Sequence, residues 1–117
     1  MSYLPGSLYS FQTVTSTPTP LSVGNRIIYV CRGSGVLTFK LPATSLAGFS
    51  FKILGKSCNW TIQQNAAQNI AVGTSITNTG ITGSLSSTFI TDLVEVTCLT
   101  ANTEYQVTES LGNLTVV

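Results

Sequence analysis

The sequence predicts an all-β protein: a compact antiparallel β-sandwich or jelly-roll-like domain over residues 25–117, behind an extended N-terminal arm over 1–24. Three observations carry this. Apolar and polar residues alternate with a period of two through short runs broken by Gly, Ser and Asn, the pattern of strands with one face in a core. The chain holds 18 Thr and 14 Ser, and the branched Cβ of Thr suits a pleated surface. No segment requires a helix, although 44–47 could make one turn. At 117 residues the chain is one domain, able to bury roughly two thirds of its unfolded surface.

The arm comes first. Residues 1–24 contain Pro5, Pro18 and Pro20 and no charge; proline lacks a ladder donor and keeps its neighbour extended. The apolar residues of the arm, Tyr3, Leu4, Leu8, Tyr9 and Phe11, are candidate contacts with another protein, to which they would bring aromatic anchors and backbone hydrogen bonds. Alternatively, residues 9–14 form an edge strand on their own domain, and both readings can hold. The run RIIYVCR (26–32) is almost continuously apolar, as expected of a strand covered on both faces. Gly33-Ser34-Gly35 then reads as a hairpin turn into a strand with Leu37, Phe39 and Leu41 inward, stopped by Pro42. Phe49, Phe51 and Ile53 alternate with Ser50, Lys52 and Leu54, and Gly55-Lys56-Ser57 turns into a strand with Trp60 and Ile62 inward.

Residues 64–91 are polar, uncharged and rich in Gly, Ser and Thr, with short alternating pieces at Ile70-Ala71-Val72 and Ile76. They read as surface loops held by hydroxyl-to-backbone bonds, or as a hydroxyl and amide surface for another chain or a sugar, with Phe89 the one aromatic platform. The strongest pattern is DLVEVTCLTANTEYQVTESLGNLTVV (92–117). Val94, Val96 and Cys98 point inward and Glu95 and Thr97 outward. After a turn at 100–103, Tyr105 and Val107 point inward, and Gly112-Asn113 turns the chain into Leu114, giving an antiparallel meander. Seven or more short strands joined by such turns indicate a sandwich or jelly roll.

Charge is scarce: Lys, Arg, Asp and Glu make up 8%, against about 25% in soluble domains. So weak a self-repulsion points to permanent assembly. The charges are also segregated, with Arg26, Arg32, Lys40, Lys52 and Lys56 in the first half and Asp92, Glu95, Glu104 and Glu109 in the last quarter. They either pair within one subunit or meet between neighbours in a ring, where Arg26, Arg32, Lys52, Glu95, Glu104 and Glu109 would set register. A net charge of +1 leaves no basic footprint for nucleic acid, and no run approaches the length of a membrane span. Cys31, Cys58 and Cys98 sit in apolar runs without CxxC spacing, which suits buried thiols rather than disulfides or zinc. The N-terminus has no signal-peptide pattern, so synthesis in the cytosol is expected.

Histidine is absent. This removes Ser-His-Asp and Cys-His catalysis, His-ligated metals and the commonest general base. The carboxylates read as surface charge rather than a glycosidase pair, and no phosphate-cradling glycine motif occurs. The expectation is no enzyme activity, no cofactor and no metal.

Leu41-Pro42, GFSFKI (48–53), WTI (60–62), TGITGSLSST (79–88), DLVEVTC (92–98), NTEYQV (102–107) and SLGNLTV (110–116) together resemble the C-terminal β domains of bacteriophage and other virus fibre or virion-surface proteins. The likeness spans 36–117 and carries no catalytic residue. It implies a homotrimer with a binding role. A fibre head usually follows a long repetitive shaft, whereas this sequence opens with a short Pro-containing arm, which is similar to capsid decoration, or cement, proteins. The implied function is therefore a structural virion protein, made in the host cytoplasm, that binds the major capsid protein on the outer capsid surface. The alternatives are the receptor-binding head of a phage tail fibre, or a small carbohydrate-binding β protein that would recognise a host surface glycan.

Overall fold

The computed structural model describes residues 9–16, 19–24 and 26–117. Twelve strands follow one another: β1 Ser10–Val14, β2 Thr19–Pro20, β3 Ile27–Cys31, β4 Leu37–Lys40, β5 Ser50–Gly55, β6 Trp60–Gln63, β7 Asn69–Val72, β8 Ser75–Ile76, β9 Ser84–Ser87, β10 Leu93–Thr100, β11 Glu104–Leu111 and β12 Leu114–Val116. They form a seven-stranded sheet in the order β1-β3-β5-β10-β11-β7-β8 and a five-stranded sheet in the order β12-β9-β6-β4-β2. No described residue is helical, including 44–47. The expected all-β sandwich is the fold.

The sandwich is mixed rather than purely antiparallel. From β1 to β6 each strand lies in the sheet opposite its predecessor. Next-but-one strands thus become parallel neighbours: β1, β3 and β5 in the large sheet, β2, β4 and β6 in the small one. Gly33-Ser34-Gly35 accordingly carries the chain across the sandwich instead of closing a hairpin, and residues 55–58 do the same. Both crossings need glycine for space. A Cβ on Gly33 would lie 2.6 Å from the carbonyl oxygen of Thr15, and one on Gly55 would lie 2.4 Å from that of Ile90. A turn signal in sequence records that the chain reverses, not whether it stays in its sheet.

The meander holds for its first two strands. β10 and β11 pair antiparallel, and a bulge leaves Thr108 between the Glu95–Glu109 and Val96–Val107 pairings. β12 then leaves them for the small sheet, where it pairs with β9.

Part of the segment expected as an extended arm belongs to the domain, in line with the edge-strand reading of 9–14. β1 pairs with β3 and β2 with β4, and Val14 and Leu21 join the core. Residues 9–16 contain no proline, so β1 can complete a ladder; Pro20 is tolerated because β2 is an edge strand. Tyr3, Leu4 and Leu8 lie outside the described residues.

The predicted inward residues make the core. Phe39, Ile53, Trp60, Ile62, Val94 and Val96 have no exposed surface, and the Tyr29 and Phe39 rings pack tilted at 5.5 Å. Cys31, Cys58 and Cys98 are free and buried; burial, with the Cys58 thiol beside it, pushes Cys31 up to about 12, so it stays an unreactive thiol at neutral pH. Gly55→Ala should destabilise the fold by about 2 kcal/mol, because a backbone carbonyl must move. Gly24→Ala, where nothing lies within 4 Å of the new Cβ, should be near neutral. Urea unfolding of the two variants checks the difference.

Candidate functional site

Alternation along β3, β5, β10 and β11 sends every second side chain to the outer face of the large sheet, and the register stacks these into rows. One row is charged: Lys52 lies opposite Glu95, and Glu95 opposite Glu109. The Lys52 Nζ reaches the Glu109 carboxylate at 3.2 Å. The adjoining row is apolar, running through Val30, Leu54, Leu93 and Leu111. Val30 is buried, Leu54 and Leu93 are half-buried, and Leu111 is exposed. Phe11 pairs with Ile28 and Ile28 with Lys52, so the charged row itself continues as apolar side chains towards the β1 edge.

Tyr9 closes over the charged row. Its hydroxyl donates to a Glu95 carboxylate oxygen at 2.7 Å and shares a hydrogen bond with Ser50 at 3.1 Å. Its ring carries the Arg26 guanidinium at 5.4 Å and the Lys52 ammonium at 5.0 Å from the centroid, within cation–π range. The Thr108 hydroxyl, displaced by the bulge, donates to the other Glu95 oxygen at 2.7 Å. Burial pushes the Glu95 carboxyl up, but the hydrogen bonds from Tyr9 and Thr108 and the charges of Lys52 and Arg26 outweigh it and hold it below the ordinary carboxylate value. Burial raises the Tyr9 phenol, a shift that the Ser50 hydrogen bond opposes and Glu95 reinforces. Tyr9 therefore stays a neutral donor to an ionised Glu95.

Arg26, Lys52, Glu95 and Glu109, drawn from opposite ends of the sequence, thus meet on one face of one chain with no net charge. Arg32 and Glu104 do not join them. Arg32 is exposed just past the end of β3, and the exposed Glu104 carboxylate accepts a hydrogen bond from the Thr100 hydroxyl. Of the arm residues, Tyr9 is engaged as described and Phe11 is 74% exposed.

The Glu95 carboxylate is stabilised as the anion, which is opposite to what a general acid needs. No group of three or more potential metal ligands occurs among the described residues. A separate open cleft of about 470 Å³ is lined by Val23, Leu46, Phe49 and Asn102 with neighbouring residues of 44–47, and no ionisable side chain enters it.

Three amides of 64–91, those of Gln64, Asn65 and Gln68, are committed to the fold, which sequence reading missed. The Gln64 Nε2 is directed at the carbonyls of Gln68, Asn78 and Gly80 at 2.8–3.0 Å, and Gln64 Oε1 accepts from the Thr77 hydroxyl. The Gln68 Nε2 donates to Pro42 and Asn102 carbonyls at 2.8 and 3.1 Å. Gln64 and Gln68 are each 1% exposed, so neither offers a surface amide to a sugar. The available signal was the density of amides in a stretch with few apolar residues to bury.

Because Glu95 has a lowered folded value, its contribution to stability is present above the unfolded carboxylate value and is lost as pH falls through the folded one. Tyr9→Phe should move the Glu95 titration up towards its ordinary value. It should cost about 1 kcal/mol at neutral pH, partial exposure keeping the loss at the low end, and less in acid. Carboxyl NMR titration and urea unfolding at both pH values read this out.

No protein family matches the chain, and no curated protein matches its sequence.

Proposed function

We propose that the chain is a structural virion protein, a capsid decoration protein that binds the outer surface of a viral shell as a homotrimer, with the major capsid protein as its partner. The observation that carries this reading is the outer face of the large sheet. There an apolar row ending in the exposed Leu111 adjoins a charged row that is already neutralised within the chain. Exposed apolar surface rimmed by polar groups marks an interaction site. Pre-paired charges lower the cost of covering that surface, since no lone ion is stripped of water. The low charge of the whole chain and the likeness of 36–117 to virion-surface β domains support the same role. Residues 1–8, with Tyr3, Leu4 and Leu8, supply the capsid contact, while the outer face packs subunit against subunit.

Deleting residues 1–8 tests the capsid contact, because it leaves β1 intact. Occupancy on purified capsids should fall at least tenfold, about 1.4 kcal/mol of binding free energy, while the domain stays folded by circular dichroism. Unchanged occupancy overturns the reading, and binding to host glycans that survives the deletion favours a receptor-binding head instead. Leu111→Arg should convert a sedimenting trimer to smaller species; a wild-type chain that is monomeric at micromolar concentration removes the trimer.

A further inference from the structure

β1 is the outermost strand of the large sheet and runs parallel to β3. In such a ladder alternate residues direct their backbone groups to one side. The Ser10 N–H donates to the Arg26 carbonyl at 2.8 Å, and the Arg32 N–H donates to the Val14 carbonyl at 2.9 Å. Ser10, Gln12 and Val14 therefore bond towards β3. The N–H and C=O groups of Phe11 and Thr13 point the other way, along the free edge.

Sheet edges are normally guarded by short length, proline, charge or a bulge. The other edges follow this rule: β8 and β2 have two residues each, with Pro20 in β2, and β12 has three. β1 has five residues in unbroken register, SFQTV, with no charge, proline or glycine. Ser10, Phe11, Gln12 and Thr13 are all exposed. It is the one long, regular edge among the described strands, and it lacks each of these guards.

We infer that β1 is a docking edge for β1 of a second copy, paired antiparallel about a twofold axis through Gln12. The outward groups lie at 11 and 13, symmetric about 12, so the strand meets its own sequence without offset. Phe11 of each copy exchanges both hydrogen bonds with Thr13 of the other, and the two Gln12 residues face each other between these pairs. All outward polar groups of Phe11 and Thr13 are then satisfied. Each Phe–Thr contact is an aromatic with β-branched pair, a favourable cross-strand combination, and the uncharged strand sets no like charges against each other. The contact covers Phe11 and fuses two seven-stranded sheets into one. A twofold contact is isologous and cannot by itself build a threefold ring. It is therefore distinct from the trimer contact, does not depend on the capsid reading, and would join one trimer to the next where both exist.

The register gives the test. Opposed residues at a non-hydrogen-bonded site have Cα atoms about 4.5 Å apart, within the roughly 4.4–6.8 Å that a disulfide spans. Only position 12 meets itself. Gln12→Cys, incubated with oxidised glutathione, should give a disulfide dimer at twice the 12.4 kDa of the chain; the two thiols yield two protons and two electrons, and the oxidant leaves as two glutathione thiols. Phe11→Cys and Thr13→Cys should cross-link at least about tenfold more slowly, since their self-distances exceed the disulfide reach. Adding Thr13→Pro, which removes an outward N–H and no bond to β3, should suppress cross-linking of Gln12→Cys; Phe11→Lys should do the same by charge if the proline variant does not fold. Equal cross-linking at 11, 12 and 13, or cross-linking at 12 that survives Phe11→Lys, overturns the inference.

Discussion

The carbonyl oxygen of Asp92 accepts the Gly55 N–H at 2.8 Å and the Trp60 indole N–H at 3.1 Å, so one atom is shared between the large sheet and the small one. Trp60 is fully buried, and its N–H has to be paired there. The Asp92 carboxylate faces the other way and accepts the backbone N–H groups of Thr88 and Phe89 at 2.9 and 3.1 Å. Gly112 passes so close that a Cβ would lie 2.0 Å from the remaining carboxylate oxygen. The ends of β5, β9 and β11 and the start of β6 are thus gathered on one residue that is 3% exposed. The sandwich crosses from sheet to sheet so often that its backbone groups at this end need such a node.

How much of this was legible depends on the range of the interaction. Period-two alternation correctly assigned Leu37, Phe39, Trp60, Ile62, Val94, Val96 and Cys98 to the interior, because facing is a local property of a strand. The sheet each strand joins is not local. Gly33-Ser34-Gly35 has the composition of a hairpin and performs a crossing, since glycine's conformational freedom serves both. The Tyr9–Glu95 bond joins residues 86 apart in sequence, and the segregated charges announced a long-range pairing without saying where it closes. Gln64 and Gln68 read as surface because amides are usually exposed. They are buried because a stretch poor in apolar residues can enter a core only if its polar side chains satisfy its own carbonyls.

Low charge does not leave the outer face featureless. Arg26, Lys52, Glu95 and Glu109 are concentrated on one face around a single tyrosine ring and cancel there. The remainder of the described surface carries only Arg32, Lys40, Lys56 and Glu104 as exposed charges and otherwise relies on hydroxyl and amide groups for hydration. Exposed apolar surface such as Leu111 and Phe11 is then shielded by little electrostatic repulsion between copies.

The order of strands in the large sheet has a consequence during synthesis. β5 ends at Gly55, yet its neighbour β10 begins only at Leu93. At about 5–20 residues per second, the nascent chain carries an unpaired Ser50–Gly55 edge for several seconds. Pairings of such sequence separation also form slowly once the partner emerges. This apolar strand, interior to the finished sheet, is therefore an open edge while the chain is being made, and the sparse charge of the chain gives that edge little protection.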